Sequence, residues 1–166
     1  MKKKLSALFM AALILLAASG CRKDSGQGTE SKASEAAESK EVFYTVEAGT
    51  KGTFYSPDEE FNLFLETERE FDGTIDDVLA ILSSLGAFGK ADVKANSFYF
   101  TKGDTAYIDL NKAYKEYVAS GASAIVQFGI DGMALTIKSC FGVEYVRLTV
   151  DGKDLSTGHT TYDKPI

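Results

Sequence analysis

The sequence has little histidine and little cysteine, and these shortages exclude several kinds of site. His159 is the only histidine, so a typical zinc site cannot form. The only cysteines are Cys21 and Cys140, and Cys140 alone cannot form a disulfide inside the folded domain. The chain also lacks a glycine-rich phosphate loop, the ligand spacing of an EF-hand and a nucleophile elbow. We therefore expect no metal, no cofactor and no enzymatic activity.

The chain lacks a cluster of positive charge beyond Lys2, Lys3 and Lys4. Its formal net charge is −6, and the charge becomes −9 once residues 1–20 are removed. A protein that binds nucleic acid usually carries a basic patch, and so does one that adheres to anionic lipid by charge. We therefore expect no nucleic-acid partner and no electrostatic attachment to a membrane.

The N-terminus has the three parts of a lipoprotein signal peptide. Three lysines precede an apolar run from Leu5 to Ala18, and small residues then lead to Cys21. As a helix this run would span about 21 Å, which is shorter than the roughly 30 Å hydrocarbon core of a bilayer. The pattern predicts that residues 1–20 are removed and that Cys21 carries lipid. The mature protein should then be extracytoplasmic and lipid-anchored to the cell membrane.

A polar segment separates Cys21 from the rest of the chain. Residues 22–40 contain no valine, isoleucine, leucine, methionine or aromatic residue, so they have nothing to bury. A flexible coil of this length reaches about 25 Å. We expect residues 21–40 to be a lipid-anchored, disordered linker and residues 41–166 to form a single domain.

Hydrophobic periodicity predicts the elements of this domain. Gly129 and Gly132 lie on one face of a long apolar helix and indicate a close approach to the sheet. We expect an α+β fold, with two longer helices packed on one face of a mixed β-sheet. In the first half, the predicted elements are a strand at 42–46, a loop at 47–59, a strand or ribbon arm at 61–66 and a helix from Thr74 to Gly86. The arm at 61–66 would have Phe61, Leu63 and Leu65 on one face. The second half should contain a hairpin at 97–109, a helical turn or loop at 111–117, a helix at 122–140, a strand at 143–150 and a polar surface tail at 155–166.

Two stretches resemble a known family. Residues 103–111 (GDTAYIDLN) resemble the "gvayVDlsk" strand of the GerMN domain, which occurs in sporulation and spore germination proteins. Residues 141–153 (FGVEYVRLTVDGK) resemble that domain's last strand and turn, and Thr136 lies where the family has a threonine in its long helix. Gly158, His159 and Pro165 fit the tail that follows. The likeness spans about Thr74 to Lys153, and more loosely Val42 to Phe71.

The resemblance implies a non-enzymatic protein-interaction or scaffold domain on an envelope lipoprotein. In spore-forming bacteria such proteins support envelope complexes between mother cell and forespore, and the domain is similar to the ring-building motifs of secretion machines. A related domain works beside a sensor kinase in actinobacteria. The resemblance therefore implies an envelope protein partner and a tendency to form homo-oligomers, without naming one pathway.

Tyrosines provide the candidate partner surface. Tyrosine suits interfaces because it is apolar with a polar tip. We therefore predict an exposed patch, although the same residues would also suit covering a sheet edge. The patch consists of Tyr99, Tyr107, Tyr114 and Tyr117.

Two alternative functions stay open at this point. A wall-directed hydrolase would use paired carboxylates about 5–10 Å apart, and an extracytoplasmic ligand sensor would have a deep apolar pocket. The densest charge supplies the acids for the first alternative, although solvated surface charge explains it as well. These acids are Asp58, Glu59, Glu60, Glu66, Glu68, Glu70, Asp72, Asp76 and Asp77.

The signal peptide yields a direct test. Replacing Cys21 with serine removes the thiol that carries the lipid, so Cys21→Ser should move the protein out of the membrane fraction. Mass spectrometry of the wild-type N-terminal peptide should show acylated Cys21. An unmodified cysteine at that position would contradict the prediction.

Overall fold

A computed structural model describes residues 44–101 and 104–166 of the chain. The predicted signal peptide, Cys21 and the linker lie outside the described residues. The elements, in chain order, are β1 (Thr50–Pro57), β2 (Phe64–Phe71), α1 (Ile75–Ser84), β3 (Ala95–Thr101), β4 (Thr105–Leu110), α2 (Lys112–Ser120), α3 (Ser123–Phe141), β5 (Tyr145–Val150), β6 (Lys153–Ser156) and β7 (Thr161–Tyr162).

The predicted α+β fold with a mixed sheet is confirmed. Strands β3 to β7 form one sheet in the order β3-β4-β5-β6-β7, in which only β4 and β5 pair in parallel. The hairpin of β3 and β4 pairs Phe98 with Ile108, and Ile108 pairs in turn with Leu148 of β5. These side chains are buried, whereas their neighbours along each strand are half-buried or exposed. One face of the sheet therefore lies on the core.

Helix α1 begins and ends at the residues that the sequence indicates. The Oγ1 atom of Thr74 accepts a hydrogen bond from the backbone N–H of Asp77 at 3.2 Å. The Asp77 carboxylate accepts the N–H of Asp72 at 2.9 Å, so it caps the preceding turn instead of the N-cap residue itself. At the other end Gly86 has a φ of +84°, and the N–H of Ala87 donates to the carbonyl of Leu82 at 3.1 Å.

Helix α3 is the predicted long apolar helix. It ends at Gly142, which has a left-handed conformation with a φ of +67°. Among the described residues it is the one helix long and apolar enough to cross a membrane, but the domain buries 56% of it. Near its C-terminal end, the ring centroid of Phe141 lies 4.7 Å from that of Phe98 and 5.7 Å from that of Phe71. The helix therefore packs in the core and joins the sheet to β2.

The first two strands differ from the prediction. Residues 44–46 form no strand, and the predicted loop at 47–59 contains β1 instead. Strand β1 pairs antiparallel with β2, and the two form a separate sheet, called the ribbon here. Gly52 and Pro57 made β1 look like a loop. Gly52 in fact permits a close contact, because a Cβ atom there would lie 2.4 Å from the Cys140 Sγ atom.

Helix α3 covers the edge of β1 that does not pair with β2. The Thr136 hydroxyl accepts the N–H of Tyr55 at 3.0 Å, and the Ser139 hydroxyl accepts the N–H of Thr53 at 3.0 Å. The backbones meet so closely that a Cβ atom at Gly132 would lie 2.7 Å from the Tyr55 carbonyl oxygen. The close approach predicted for Gly132 therefore exists, and its partner is the ribbon.

Two further segments are more ordered than the sequence indicated. The predicted turn or loop at 111–117 is part of helix α2, whose Tyr114 and Val118 are buried. The predicted surface tail contains β6 and β7, and Leu155 and Tyr162 anchor these strands in the core. The prediction of a surface tail was wrong because isolated apolar residues in a polar stretch give no periodic signal.

The contact of α3 with β1 predicts the effect of two matched substitutions. Thr136→Val keeps the side-chain shape but leaves the Tyr55 N–H without an acceptor, so the free energy of unfolding should fall by about 1–3 kcal/mol. Thr136 is fully buried and Ser139 is exposed, so water can replace the Ser139 hydroxyl. Ser139→Ala should therefore cost about 0.5 kcal/mol or less. Denaturant unfolding measures both, and equal losses would contradict this account.

Candidate interaction site

The predicted tyrosine patch is divided between two places. Tyr99 and Tyr107 lie directly opposite each other on β3 and β4, with ring centroids 5.1 Å apart and ring planes 10° apart. They alternate along their strands with the buried Phe98 and Ile108. The stacked pair therefore lies on the sheet face that points away from the core, called the open sheet face here.

Tyr114 is not a surface residue, so the predicted patch is wrong at this position. Its side chain is fully buried, and its ring centroid lies 5.9 Å from those of Phe88 and Tyr117. Burial raises the pKa of the Tyr114 hydroxyl well above its ordinary value. Tyr117 is half-buried, and its hydroxyl donates to the carbonyl of Ala87 at 3.1 Å. Because α2 is a helix, it turns Tyr114 inward, and the prediction had left that segment undecided.

The open sheet face contains two residues that the tyrosine prediction missed. Tyr145 is 44% exposed at the start of β5, and Arg147 is aligned with Tyr107 across the β4–β5 pair. The Arg147 guanidinium donates to the carbonyl of Tyr162 and pairs with the Asp154 carboxylate, which joins β5 to the last two strands. Alternation along β5 would have placed Tyr145 and Arg147 beside the tyrosines.

Asp109, a residue of the first family-like stretch, has a structural role on this face. The Asp109 carboxylate accepts from the Thr149 hydroxyl at 2.7 Å and from the N–H of Gly152 at 2.8 Å. This second bond holds the turn after β5, where Asp151 and Gly152 both have positive φ. Asp109, in the stretch 103–111, therefore holds the turn in the stretch 141–153. Its Oδ1 atom is used for these bonds within the fold.

The acidic residues are spread along the ribbon and the start of α1, and some of their carboxylates accept hydrogen bonds within the fold. Thr74 donates to the Asp72 carboxylate from its hydroxyl and from its N–H, and these bonds lower the pKa of Asp72. A general acid for glycoside hydrolysis needs a raised pKa. The Asp58 carboxylate accepts the N–H groups of Asn62 and Leu63 at 2.8 and 3.3 Å. These carboxylates therefore cap turns.

Other chemistry-bearing residues are isolated. His159 is exposed beside a depression of about 90 Å³ that Gln127 and Thr160 also line. A depression of about 500 Å³ lies beside α1, and its charged lining consists of Asp76 and of Asp92 and Lys94, which pair with each other at 2.7 Å. Across residues 44–101 and 104–166, no three histidine, cysteine, aspartate or glutamate side chains group so that they could hold a metal ion.

The ribbon presents a second exposed surface. Leu63 is 68% exposed and Leu65 is 53% exposed, whereas Phe61, which was predicted to share one strand face with both, is half-buried. That prediction was wrong because the chain turns at residues 58–63 and β2 begins only at Phe64. The segment 58–65 is called the ribbon tip here.

The fold is thus an α+β domain that covers one face of its main sheet and leaves two surfaces exposed. The family profile described as "Germane: Sporulation and spore germination" matches residues 54–156, which is more than half of the chain. The chain therefore belongs to this family, and the resemblance to the GerMN domain is confirmed.

Two solved structures are similar to this chain. A proposed lipoprotein from Clostridium perfringens is 21% identical with a TM-score of 0.42, and the match covers 75% of this chain and 91% of that one. The tandem GerMN domains of the sporulation protein GerM from Bacillus subtilis are 16% identical with a TM-score of 0.47. That match covers 80% of this chain and 49% of the other, so the chain spans about half of the tandem structure. No curated protein matches the chain.

The setting of Cys140 predicts how its thiol behaves. Its side chain is 3% exposed against Gly52, and removal from water raises its pKa to about 12. Because the reactive form is the thiolate, a thiol-specific reagent at about pH 8 should label Cys140 slowly in the folded protein and completely in denaturant. The Cys21→Ser chain leaves Cys140 as the sole thiol for this measurement. Rapid labelling of the folded chain would contradict a structural role.

Proposed function

We propose that this protein is an extracytoplasmic lipoprotein whose domain binds an envelope protein partner during sporulation or spore germination. Lipid on Cys21 would hold it to the cell membrane, and the linker would let the domain reach a neighbour. Family membership supports the cellular process, and the signal-peptide pattern supports the location. The similar Clostridium perfringens protein, itself a proposed lipoprotein, is consistent with this location.

The open sheet face is the observation that carries the binding role. The stacked pair of Tyr99 and Tyr107, together with the exposed Tyr145, presents aromatic surface next to the Arg147 side chain. Tyrosine and arginine are enriched at protein interfaces, because they combine a large contact area with hydrogen-bonding tips. The pairing along the strands holds Tyr99 and Tyr107 in place, so binding would order few side chains.

A membrane anchor makes a modest interface sufficient. Confinement of the protein and its partner to one membrane raises their effective concentration, as a linker does between tethered domains. The carboxylates of Asp58 and Asp72 already accept hydrogen bonds that hold turns of the fold, and binding through the open sheet face makes no further demand on them. We therefore favour a binding module over a wall-directed hydrolase or a ligand sensor.

Crosslinking in the native envelope tests this proposal. A photoreactive residue at Thr101, which is exposed on the open sheet face, should crosslink repeatedly to the same envelope protein. Tyr99→Ser combined with Tyr107→Ser should reduce the yield at least about 30-fold, because interface tyrosines each contribute of the order of 1–2 kcal/mol and the pair therefore about 2–4 kcal/mol. Lys90→Ser, in an exposed loop before β3, is the matched control and should leave the yield unchanged.

The same experiment separates the alternatives. Crosslinks between two copies of this chain would identify the partner as a homo-oligomer. An absence of recurrent neighbours, together with wall-hydrolysing activity of the purified mature chain, would refute the proposal in favour of the enzyme.

A further inference from the structure

The ribbon tip exposes apolar side chains that the core does not need. Leu63 and Leu65 are 68% and 53% exposed, and the half-buried Phe61 and Phe64 lie between and beside them. Two large exposed leucines only two residues apart in the chain differ from the singly scattered apolar residues of an ordinary surface. The tip is therefore a candidate docking surface.

The tip is held in one conformation. The N–H of Asp58 donates to the carbonyl of Leu63 at 3.0 Å, and the Asp58 carboxylate accepts two N–H groups from the same loop. Phe61 has a φ of +55°, which is uncommon for a bulky residue. Such a conformation persists only where the surrounding bonds enforce it, and it is often found at functional sites. The leucines are thus presented by a pre-organised loop.

Helix α3 packs against Phe61 and Phe64 of the tip, whereas Leu65 follows Phe64 in β2 and therefore lies on the opposite face of the strand. The Phe128 ring centroid lies 4.9 Å from that of Phe64 and 6.4 Å from that of Phe61. Leu135 is 36% exposed and lies seven residues after Phe128, on the same side of the helix and about 10 Å further along it. The α3 contact therefore leaves Leu63 and Leu65 free for a partner, and an amphipathic helix, which carries its apolar residues in one stripe, suits such a small apolar surface.

Acidic side chains border this apolar surface. Glu59, Glu60 and Glu66 are exposed around the ribbon tip, and Asp131 lies one helical turn after Phe128. The Glu60 carboxylate accepts a hydrogen bond from Asn62 at 3.1 Å and so stays beside the loop. A partner whose apolar face is bordered by lysine or arginine would gain favourable electrostatic contacts here, and an acidic partner would be repelled.

We propose that the ribbon tip, through Leu63 and Leu65, docks a cationic amphipathic helix of a partner protein. This inference rests on the proposed function and names the chemistry of the partner. An anionic lipid surface fits less well, because the acidic border would face lipid phosphates of the same charge. The docking surface is separate from the open sheet face, so one domain would contact a partner at two places.

A synthetic helix tests the chemistry directly. The probe is a peptide of about 14 residues, or four helical turns, built from leucine and lysine with one apolar face. Its counterpart replaces every lysine with glutamate. Fluorescence anisotropy with the full mature chain carrying Cys21→Ser should show binding of the lysine peptide, weaker binding at high salt, and none of the glutamate peptide.

Substitutions locate the site. Leu63→Ser combined with Leu65→Ser should weaken binding of the lysine peptide at least about tenfold, since each leucine buries apolar surface in the complex. Both side chains are largely exposed, so the melting temperature should be unchanged. Tyr145→Ser removes a similarly exposed apolar residue from the open sheet face and is the matched control. Glu59→Lys with Glu60→Lys should weaken the lysine peptide and permit the glutamate peptide to bind.

Several results would overturn the inference. Equal binding of the lysine peptide to the wild type and to the double leucine variant would show only attraction to an acidic protein. Leucine-dependent binding to phosphatidylglycerol vesicles would identify a membrane surface instead. Leucine-dependent dimerisation in sedimentation experiments would identify a second copy. In each case a crosslinked partner at the open sheet face would still support the proposed function, so the two failures are distinguishable.

Discussion

The contact between helix α3 and the free edge of β1 is the interaction on which the arrangement of this domain depends. Thr136 and Ser139 supply hydroxyl acceptors for two strand N–H groups that would otherwise face an apolar helix. Gly52 and Gly132 remove the side chains that would keep the two backbones apart. Thr136 also donates to the carbonyl of Gly132 at 2.7 Å, so a single buried hydroxyl is fully used. A threonine at this helix position therefore has a physical reason in the fold.

This contact decides which surfaces face solvent. Because α3 takes one edge of β1, β2 is left as the outer strand and carries the apolar ribbon tip away from the core. Phe141 then links the ribbon to the main sheet, and the open sheet face remains uncovered on the other side. The two candidate docking surfaces thus follow from one packing choice. Together they are the surfaces on which the proposed binding role depends.

Prediction from sequence succeeded where the signals were periodic and local. The apolar stripe of α1, its Thr74 cap, the β3–β4 hairpin, α3 with Gly142 and the strand β5 all lie where the patterns placed them. It was wrong for β1, because Gly52 and Pro57 are typical of loops and only the approach of α3 explains the glycine. The prediction was also wrong for Tyr114, because the sequence alone does not distinguish a buried tyrosine from an exposed one. The paired Tyr99 and Tyr107 were foreseeable because strand alternation places both on one face.

From the sequence by itself, the resemblance of residues 103–111 and 141–153 to a known domain indicated the family, and the short-range spacing of apolar residues together with turn chemistry determined the fold class and most of the elements. Only the tertiary structure decided that Leu63 and Leu65 are exposed, that the tail completes the sheet and that Asp109 clamps the turn at Gly152. The Asp109 contact joins residues 43 positions apart in the chain, and the burial of Leu155 and Tyr162 depends on the core that distant elements form. Local propensity carries no information about such contacts, and burial follows from which elements meet.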